Sequence, residues 1–421
     1  MQGSDTTRAT APPNYARGFA LGICAYLIGV HLWTWVFFGP GFWNGNADFR
    51  QLYSAGYLVR SGRSHLLYDP ITQHQIQDEK VSKADIALPF NHLAYEALLF
   101  APFSILNYKN AYFAFLGFNI VLLIVTFQLL HSQMRHLAQI YAWLPAASFL
   151  AFLPIAAALM QGQDSIILLT LFVASLICVG KRADLQAGML VGFGLFKFQL
   201  TLPIGLLFLV WRRWRFCAGL AISGTVAFVL SLWLTGVAQT LVYLHSLISM
   251  SAGLVSEADQ FKYGISPTAM PNLRGVIFGL AHTSLSPLWL QVLVVTASCA
   301  ILSFVAICGE RFSVVHQINL AILAGVLVSY HLLIHDLSVL LIPVVLTIDR
   351  FTTAGSASRG SEGALLSAAV ALFISPLLIS FSPSHFYLVS LPILLLLTLM
   401  LTDPGAEVGS ADTPSMPYEP I

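Results

Sequence analysis

The chain has 421 residues, of which 57% are hydrophobic and 9% carry a charge, and its formal net charge is +1. A water-soluble domain could not cover so much apolar surface, so the composition indicates a polytopic membrane protein. The balanced charge argues against a protein that binds nucleic acid or an acidic partner through its overall electrostatics.

The first apolar run, 19–38, is too long for the core of a signal peptide and is not followed by a small-residue cleavage motif. We therefore expect it to be retained as the first membrane span. The five cysteines lie in or beside apolar runs and show no CxxC spacing. They are interpreted as packing residues, not as disulfides or metal ligands.

The sequence predicts an all-α fold, because backbone polar groups in lipid must be satisfied internally and no period-two barrel pattern is present. About twelve transmembrane helices are expected in one domain, 1–401, and several are short enough to end partway through the bilayer. The tail 402–421, rich in Pro, Gly, Ser and acids, is predicted to be disordered and cytoplasmic. The candidate spans are 18–38, 109–130, 137–159, 163–180, 186–197, 199–211, 216–236, 286–308, 314–334, 336–349, 363–381 and 384–401.

Basic residues in the short loops predict the orientation in the membrane. With about twelve crossings they all fall on the cytoplasmic face, provided that 92–106, which contains Pro102, is re-entrant or lies on the surface. The opposite face then carries two long loops, 39–91 and 237–285, and the turns 160–165, 196–199, 330–336 and 382–385. The basic residues are Arg8, Arg17, Arg135, Lys181, Arg182, Arg212, Arg213, Arg215, Arg311, Arg350 and Arg359.

The stretch "GNADFRQLYSAG" places Asp48 just beyond the first span, where an acid is unexpected in so apolar a chain. The apolar spacing after it suits an interfacial amphipathic helix within the first external loop. Asp48 is interpreted either as the N-cap of that helix or as a catalytic base, and the two roles are compatible. Asp69 precedes Pro70 in "LYDP", where turn chemistry favours a structural role.

Two further polar groups lie beside apolar helices. "MQGQDS" places Gln161, Gln163 and Asp164 between two helices, where they form either a helix break and cap or a pocket for sugar hydroxyls. Lys197 lies between two short apolar segments, and an intramembrane lysine faces an interior partner or a cavity. It binds a phosphate as a point charge, pairs with Asp164 or another acid, or extends to the interface.

His331 and His335, followed by Asp336, would share one face if their stretch is helical. The pair lacks the glutamate and third ligand of a zinc site, so we expect a polar cluster or proton path and no metal. Arg274, in the second long loop, is a further cation that either clamps a phosphate or pairs with Glu257 or Asp259.

These motifs, in their order and spacing, resemble glycosyltransferase family 87, formerly a domain of unknown function, which includes polyprenol-phosphate-mannose-dependent mannosyltransferases. The resemblance covers most of the chain. It departs from the family at "ALPFNHLAYEALL", where many relatives carry a "YPP"-like stretch, and in the acceptor-facing loops. The motifs that carry it are "ADFRQLYSAGYLVRSG", "LLYDP", "ALPFNHLAYEALLFAPFSIL", "MQGQDSIILLTLFVAS" and "LQAGMLVGFGLFKFQLTLPIGLLFLVWRRWR".

The resemblance implies a membrane-embedded, inverting hexosyltransferase of the GT-C class that uses a polyprenyl-phosphate sugar, with mannose favoured, and a glycolipid or glycan acceptor. It further implies that the acid in the first external loop, which Asp48 matches, is the general base on the acceptor hydroxyl. No metal and no cofactor is expected. The site would face the exterior or periplasm of a bacterial inner membrane.

From the residues together we expect Asp48 and His335 in catalysis and Lys197 and Arg274 at the donor phosphate. The sugar pocket is expected to contain Tyr53, Gln163, Asp164 and His331. Two alternatives are a secondary transporter, which would show halfwise symmetry and midplane polar groups, and a polymerase or ligase of lipid-linked glycans.

Overall fold

In the computed structural model the described residues are 14–84, 87–252, 266–351 and 360–402, and all their regular secondary structure is helical. The all-α prediction is therefore confirmed. The tail, from residue 403 onward, lies outside the described residues, as do Glu257 and Asp259. The α-helices are α1 (Asn14–Gly41), α2 (Phe49–Arg60), α3 (Pro70–Lys80), α4 (Ala97–Phe100), α5 (Tyr108–His131), α6 (Arg135–Ile140), α7 (Leu144–Ala151), α8 (Leu153–Gln161), α9 (Ser165–Gly180), α10 (Asp184–Phe193), α11 (Phe198–Val210), α12 (Trp214–Ala252), α13 (Leu273–Ala281), α14 (Pro287–Gly309), α15 (Val314–Val328), α16 (Leu341–Phe351), α17 (Gly360–Ile374), α18 (Leu378–Phe381) and α19 (Ser390–Leu401).

Within the described ranges, seven helical stretches are long and apolar enough to cross a membrane, or eight if α7 and α8, bent by 56°, form one span. This confirms a membrane protein, while twelve crossings stay a prediction. The expected pair 186–197 and 199–211 runs on as one candidate, Asp184–Val210. The other six are Ala20–Arg60, Tyr108–His131, Trp214–Leu247, Pro287–Gly309, Gly363–Phe381 and Pro383–Leu401.

The segment 92–106 is divided into three very short helices, Ala94–Glu96, α4 and Phe103–Ile105. Even taken together, the twelve residues 94–105 would span only about 18 Å as a helix, less than the roughly 30 Å hydrocarbon core. None of the three can cross a bilayer. The segment packs against α2, as a re-entrant or surface segment would.

The start of α2 lies against the turn between α8 and α9. Gly162 ends α8 with a φ of +59°, a conformation that favours glycine, and a Cβ there would lie 2.7 Å from Cβ of Phe49. Because Phe49 follows Asp48 directly and Gln163 follows Gly162, this contact brings the two predicted site residues together.

Helices α10 and α12 cross at very close range through glycines. A Cβ at Gly188 would lie 1.9 Å from the backbone oxygen of Phe216, and one at Gly219 would lie 2.0 Å from the backbone oxygen of Leu185. Gly192 repeats the contact one turn after Gly188, against Ser223. Small residues four positions apart allow this approach in membrane helices, and the crossing fixes the segment that leads to Lys197.

We expect Gly188→Ala to destabilise the protein by at least 1–3 kcal/mol, the range typical of overpacking, because the new methyl group meets backbone that cannot rotate away. Gly117→Ala on α5 is the matched control, since nothing lies within 4 Å of a Cβ at that position. Thermal unfolding of both variants in detergent checks this. Equal unfolding temperatures would contradict the close crossing.

Candidate functional site

One cavity gathers most of the predicted polar residues. It is lined by side chains from the start of α2, from the loop before Ala94, and from the turns α8–α9, α10–α11 and α15–α16. Four of the segments expected to share one face of the membrane, 39–91, 160–165, 196–199 and 330–336, therefore meet in space, whereas 382–385 and the described part of 237–285 contribute no lining residue. The lining residues are Asp48, Gln51, Leu88, Pro89, Asn91, His92, Gln163, Phe196, Lys197, Gln199, Tyr330, His331, Leu333, His335 and Asp336.

The Asp48 carboxylate is directed into this cavity and does not cap α2. Asp48 occupies the N-cap position, but its side chain accepts no hydrogen bond from a backbone N–H of the helix. Instead its Oδ2 accepts from Nε2 of Gln163 at 2.8 Å, and its backbone N–H donates to Oε1 of Gln161 at 3.1 Å. The side chain is 25% exposed. The N-cap alternative for Asp48 is wrong, and a partly solvated carboxylate is held toward the cavity.

Asp69 shows the opposite arrangement. Its Oδ2 accepts from the backbone N–H of Thr72 at 2.8 Å and from the Thr72 hydroxyl. Pro70 occupies the first position of α3. The structural role predicted for this acid is therefore confirmed.

A buried arginine fixes the start of α2. Arg50 donates from Nε to Oε1 of Gln77 at 2.9 Å and from Nη2 to the backbone oxygen of Ser82, and it forms an ion pair with Asp78 at 3.4 Å. All its contacts lie within 39–91. This guanidinium is structural, and it keeps the helix that follows Asp48 against the rest of the loop.

Lys197 lies between two carboxylates. Its Nζ donates to Oγ of Ser165 at 2.9 Å, pairs with Oδ1 of Asp164 at 2.8 Å, and is hydrogen-bonded to Oδ1 of Asp336. The four side chains are buried. The predicted alternative of a salt bridge to Asp164 is present. The ammonium makes two hydrogen bonds and one further ion pair, so its charge is already balanced by two carboxylates.

The ammonium keeps both carboxyl groups ionised. Burial raises the pKa of Asp164, but the nearby Lys197 charge outweighs it and the pKa is lowered. For Asp336 burial likewise opposes ionisation, and Lys197 and His335 lower the pKa to about 2. Asp164 therefore does not cap α9 with its side chain, and its carboxylate serves the ion pair instead.

His335 lies between Asp48 and Asp336. Its Nδ1 is 3.9 Å from Oδ2 of Asp48, and its Nε2 is 3.6 Å from Oδ2 of Asp336. Burial lowers the pKa of His335, so the ring is neutral near pH 7. His331 also lines the cavity, although the chain is helical only from Ile334 onward, so the two rings do not share a helix face.

Sequence analysis missed a buried cluster beside this cavity. Nδ1 of His92 lies 2.5 Å from Oε2 of Glu96 and 3.0 Å from Oδ2 of Asp164. The signal was present, because a histidine and a glutamate at i, i+4 in an apolar stretch are costly unless paired. The atoms lie within 4.8 Å of one another, as in a metal site. Ligands around tetrahedral zinc are roughly 3.3 Å apart, and Lys197 already contacts Asp164, so the spacing fits a shared proton better than a metal ion.

Three predicted residues, Asp164, Tyr53 and Arg274, lie outside the cavity lining. Asp164 is buried in the ion pair with Lys197. Tyr53 is buried, and its hydroxyl donates to the backbone oxygen of Leu106 at 2.9 Å. Arg274 is 5% exposed and donates from Nη1 to the backbone oxygen of Tyr330, a lining residue, at 2.9 Å. Its Nε is shielded from solvent and has no partner among the described residues.

We expect Lys197→Met to cost about 3–5 kcal/mol of stability, because it leaves two buried carboxylates without a counter-charge. Adding Asp164→Asn and Asp336→Asn should restore part of the loss. Lys80→Met is the control, since Lys80 pairs with the exposed Glu79 at the surface. The stability of all four proteins is measured by unfolding in detergent. A Lys197→Met protein as stable as the wild type would refute the central ion pair.

The model of glycosyltransferase family 87 matches residues 95–335, more than half of the 421 residues. Comparisons with curated proteins and with solved structures returned no match. The matched range includes Gln163, Lys197, Arg274 and His335 and begins after Asp48. The chain therefore belongs to glycosyltransferase family 87 and is a membrane glycosyltransferase.

Proposed function

We propose that the protein is an inverting hexosyltransferase of the GT-C class, of EC 2.4.1 type, that moves a hexose, with mannose favoured, from a polyprenyl-phosphate donor to a lipid or glycan acceptor. It would act in a bacterial inner membrane with its site toward the periplasm or exterior. Family membership supports the transfer chemistry. The observation that carries the mechanism is the Asp48 carboxylate, which is directed into a polar cavity without serving as a cap.

Asp48 is the carboxylate best suited to be the general base. Among the described residues near the cavity, Asp164 and Asp336 are buried and bound to Lys197, so a proton on either would break an ion pair. In the part of the chain that the structure describes, Asp48 has no lysine or arginine within ion-pair distance, and it is held by the neutral amide of Gln163. A base must be held in place yet free to accept a proton, and Asp48 meets both conditions.

In the proposed reaction the acceptor oxygen forms a bond to the anomeric carbon while the bond from that carbon to the phosphate oxygen breaks. Asp48 takes the hydroxyl proton, and polyprenyl phosphate leaves as an anion without needing an acid. His335 is neutral and its Nδ1 lies 3.9 Å from Oδ2 of Asp48, beyond hydrogen-bond distance, so its proposed role is that of the next acceptor for the proton. Gln163, which holds Asp48, and His331 are then the predicted sugar-pocket residues that line the same cavity.

The structure favours Arg274 over Lys197 as the phosphate-binding cation. Lys197 is neutralised by two carboxylates, whereas Arg274 is buried with no acidic partner among the described residues. Burial lowers the pKa of Arg274, and such a cation is costly without an anion beside it. Its contact with the backbone of Tyr330 places it next to the cavity wall. A phosphodiester would supply the missing charge.

Asp48→Asn should lower kcat by roughly 10²- to 10⁴-fold, the range that a positioned base contributes, with little change in the KM for donor. The assay offers radiolabelled polyprenyl-phosphate mannose and glucose, with a membrane glycolipid extract as acceptor, to purified protein in lipid. Asp69→Asn is the matched control, because asparagine can still cap α3. Full activity in Asp48→Asn would remove Asp48 from the mechanism and leave the transferase.

Arg274→Gln should weaken inhibition by the product polyprenyl phosphate by about 30-fold or more, the effect expected for losing a buried charged partner. Without ligand it should destabilise the protein little, because the lost contacts with Phe278 and the Tyr330 backbone are offset by removing a buried cation that has no acidic partner among the described residues. Arg50→Gln is the comparison: it breaks a satisfied network and should lower the unfolding temperature. An Arg274→Gln protein that is destabilised and still binds product normally would show that Arg274 is structural.

A further inference from the structure

His92 is a cavity residue to which the proposed mechanism gives no role. Its ring is fixed on several sides: Nδ1 contacts Glu96 and Asp164, and the ring stacks on Phe90 with centroids 5.5 Å apart. Its backbone oxygen accepts from the hydroxyl of Tyr68 at 2.8 Å. So many contacts leave the imidazole little freedom to rotate.

One edge of the ring is unused. Nδ1 is shielded from solvent and directed at the carboxylates, while Nε2 has no partner among the described residues. The side chain is 13% exposed and lines the cavity. Nδ1 is fully shielded from solvent, whereas Nε2, on the opposite side of the ring, is not, so the exposed part of the ring includes Nε2. This nitrogen is therefore the polar atom that His92 offers to a molecule in the cavity.

The neighbouring acids determine what Nε2 can do. Burial lowers the pKa of His92, but the charges of Glu96 and Asp164 outweigh it and raise the pKa to about 10. At pH 7 the ring is an imidazolium, and Nε2–H is a hydrogen-bond donor. A neutral ring with its proton on Nδ1 would present an acceptor instead.

The ligand that fits this donor is a hydroxyl. The carboxyl groups of Glu96 and Asp164 both contact Nδ1 of His92, so the ring is already paired on that edge and is less suited to attract a phosphate. Arg274, which has no acidic partner among the described residues, is better suited to that anion. The amides of Asn91 and Gln199 line the same cavity and supply the mixed donors and acceptors that a sugar needs.

We propose that His92 is a sugar-binding residue that donates from Nε2–H to one hydroxyl of the transferred hexose and thereby restricts which hexose is accepted, with Glu96 as its positioning residue. This rests on the proposed function. A fixed charged donor left without its acceptor loses both the hydrogen bond and its solvation, so the site rejects sugars that lack this hydroxyl.

The test uses the polyprenyl-phosphate hexose that the wild type transfers, chosen from mannose, glucose and galactose, and its 2-, 3-, 4- and 6-deoxy analogues. For wild type, kcat/KM should fall roughly 10- to 100-fold for the analogue lacking the contacted hydroxyl. His92→Gln should lower kcat/KM for the parent sugar, and it should remove most of the difference in kcat/KM between the parent sugar and the analogue that lacks the contacted hydroxyl. Inhibition by polyprenyl phosphate alone should not change.

Two further variants keep the result interpretable. Glu96→Gln, which still leaves Asp164 beside Nδ1, should reduce the same penalty and no other. His65→Gln, an exposed histidine in the first long loop, should match the wild type throughout. Size-exclusion profiles in detergent confirm that each protein is folded.

Several outcomes overturn the inference. If His92→Gln lowers kcat/KM equally for the parent donor and the four deoxy analogues, and polyprenyl phosphate inhibits as in the wild type, His92 has only a structural role. If inhibition is lost as well, His92 contacts the phosphate. If the wild type transfers none of the three hexoses, the proposed donor class is overturned, and this inference with it. If the wild type transfers a hexose but His92→Gln shows the same losses with the four deoxy analogues, this inference alone is overturned.

Discussion

The ion pair of Lys197 with Asp164 and Asp336 is the interaction on which the rest of the site depends. It joins three segments that are far apart in sequence: the α8–α9 turn, the break between α10 and α11, and the loop after α15. Each charge alone would be costly at this depth, and together they satisfy one another. The loops can therefore be irregular and polar without opening the helical bundle, which tolerates such backbone only where it lines a cavity.

Close helix contacts keep these segments in register. The glycine crossing of α10 with α12 fixes the approach to Lys197, and Gly162 lets Phe49 pack onto the α8–α9 turn. Asp48 reaches the cavity only because that second contact holds the start of α2 beside Gln163. The close contact between Gly162 and Phe49 thus sets the position of Asp48. The hydrogen bond from the Gln163 amide holds the Asp48 carboxylate, which does not cap α2.

The sequence predicted four of the segments that meet at the cavity, because polar residues beside apolar helices are costly unless they find partners or line a cavity. It also predicted the cap at Asp69 from turn chemistry. It could not choose between the two roles of Asp48, since capping depends on side-chain direction. It could not show that Lys197 is neutralised twice, because pairing between Lys197 and Asp336, 139 positions apart, is a tertiary contact. His92 and Glu96 carried a local signal that the apolar surroundings hid.

The distribution of charge around the cavity separates its chemical tasks. Cations that are already paired, Lys197 and His92, cannot attract an anion strongly, but they are well held and can orient carboxylates or hydroxyls. Arg274, without an acidic partner in the described residues, retains its charge for a ligand. In the proposed reaction an anionic leaving group is drawn toward Arg274, beside Tyr330, while Asp48 takes the acceptor proton from the α2 side of the cavity. An in-line displacement requires this separation, because the entering and leaving oxygens approach the anomeric carbon from opposite sides.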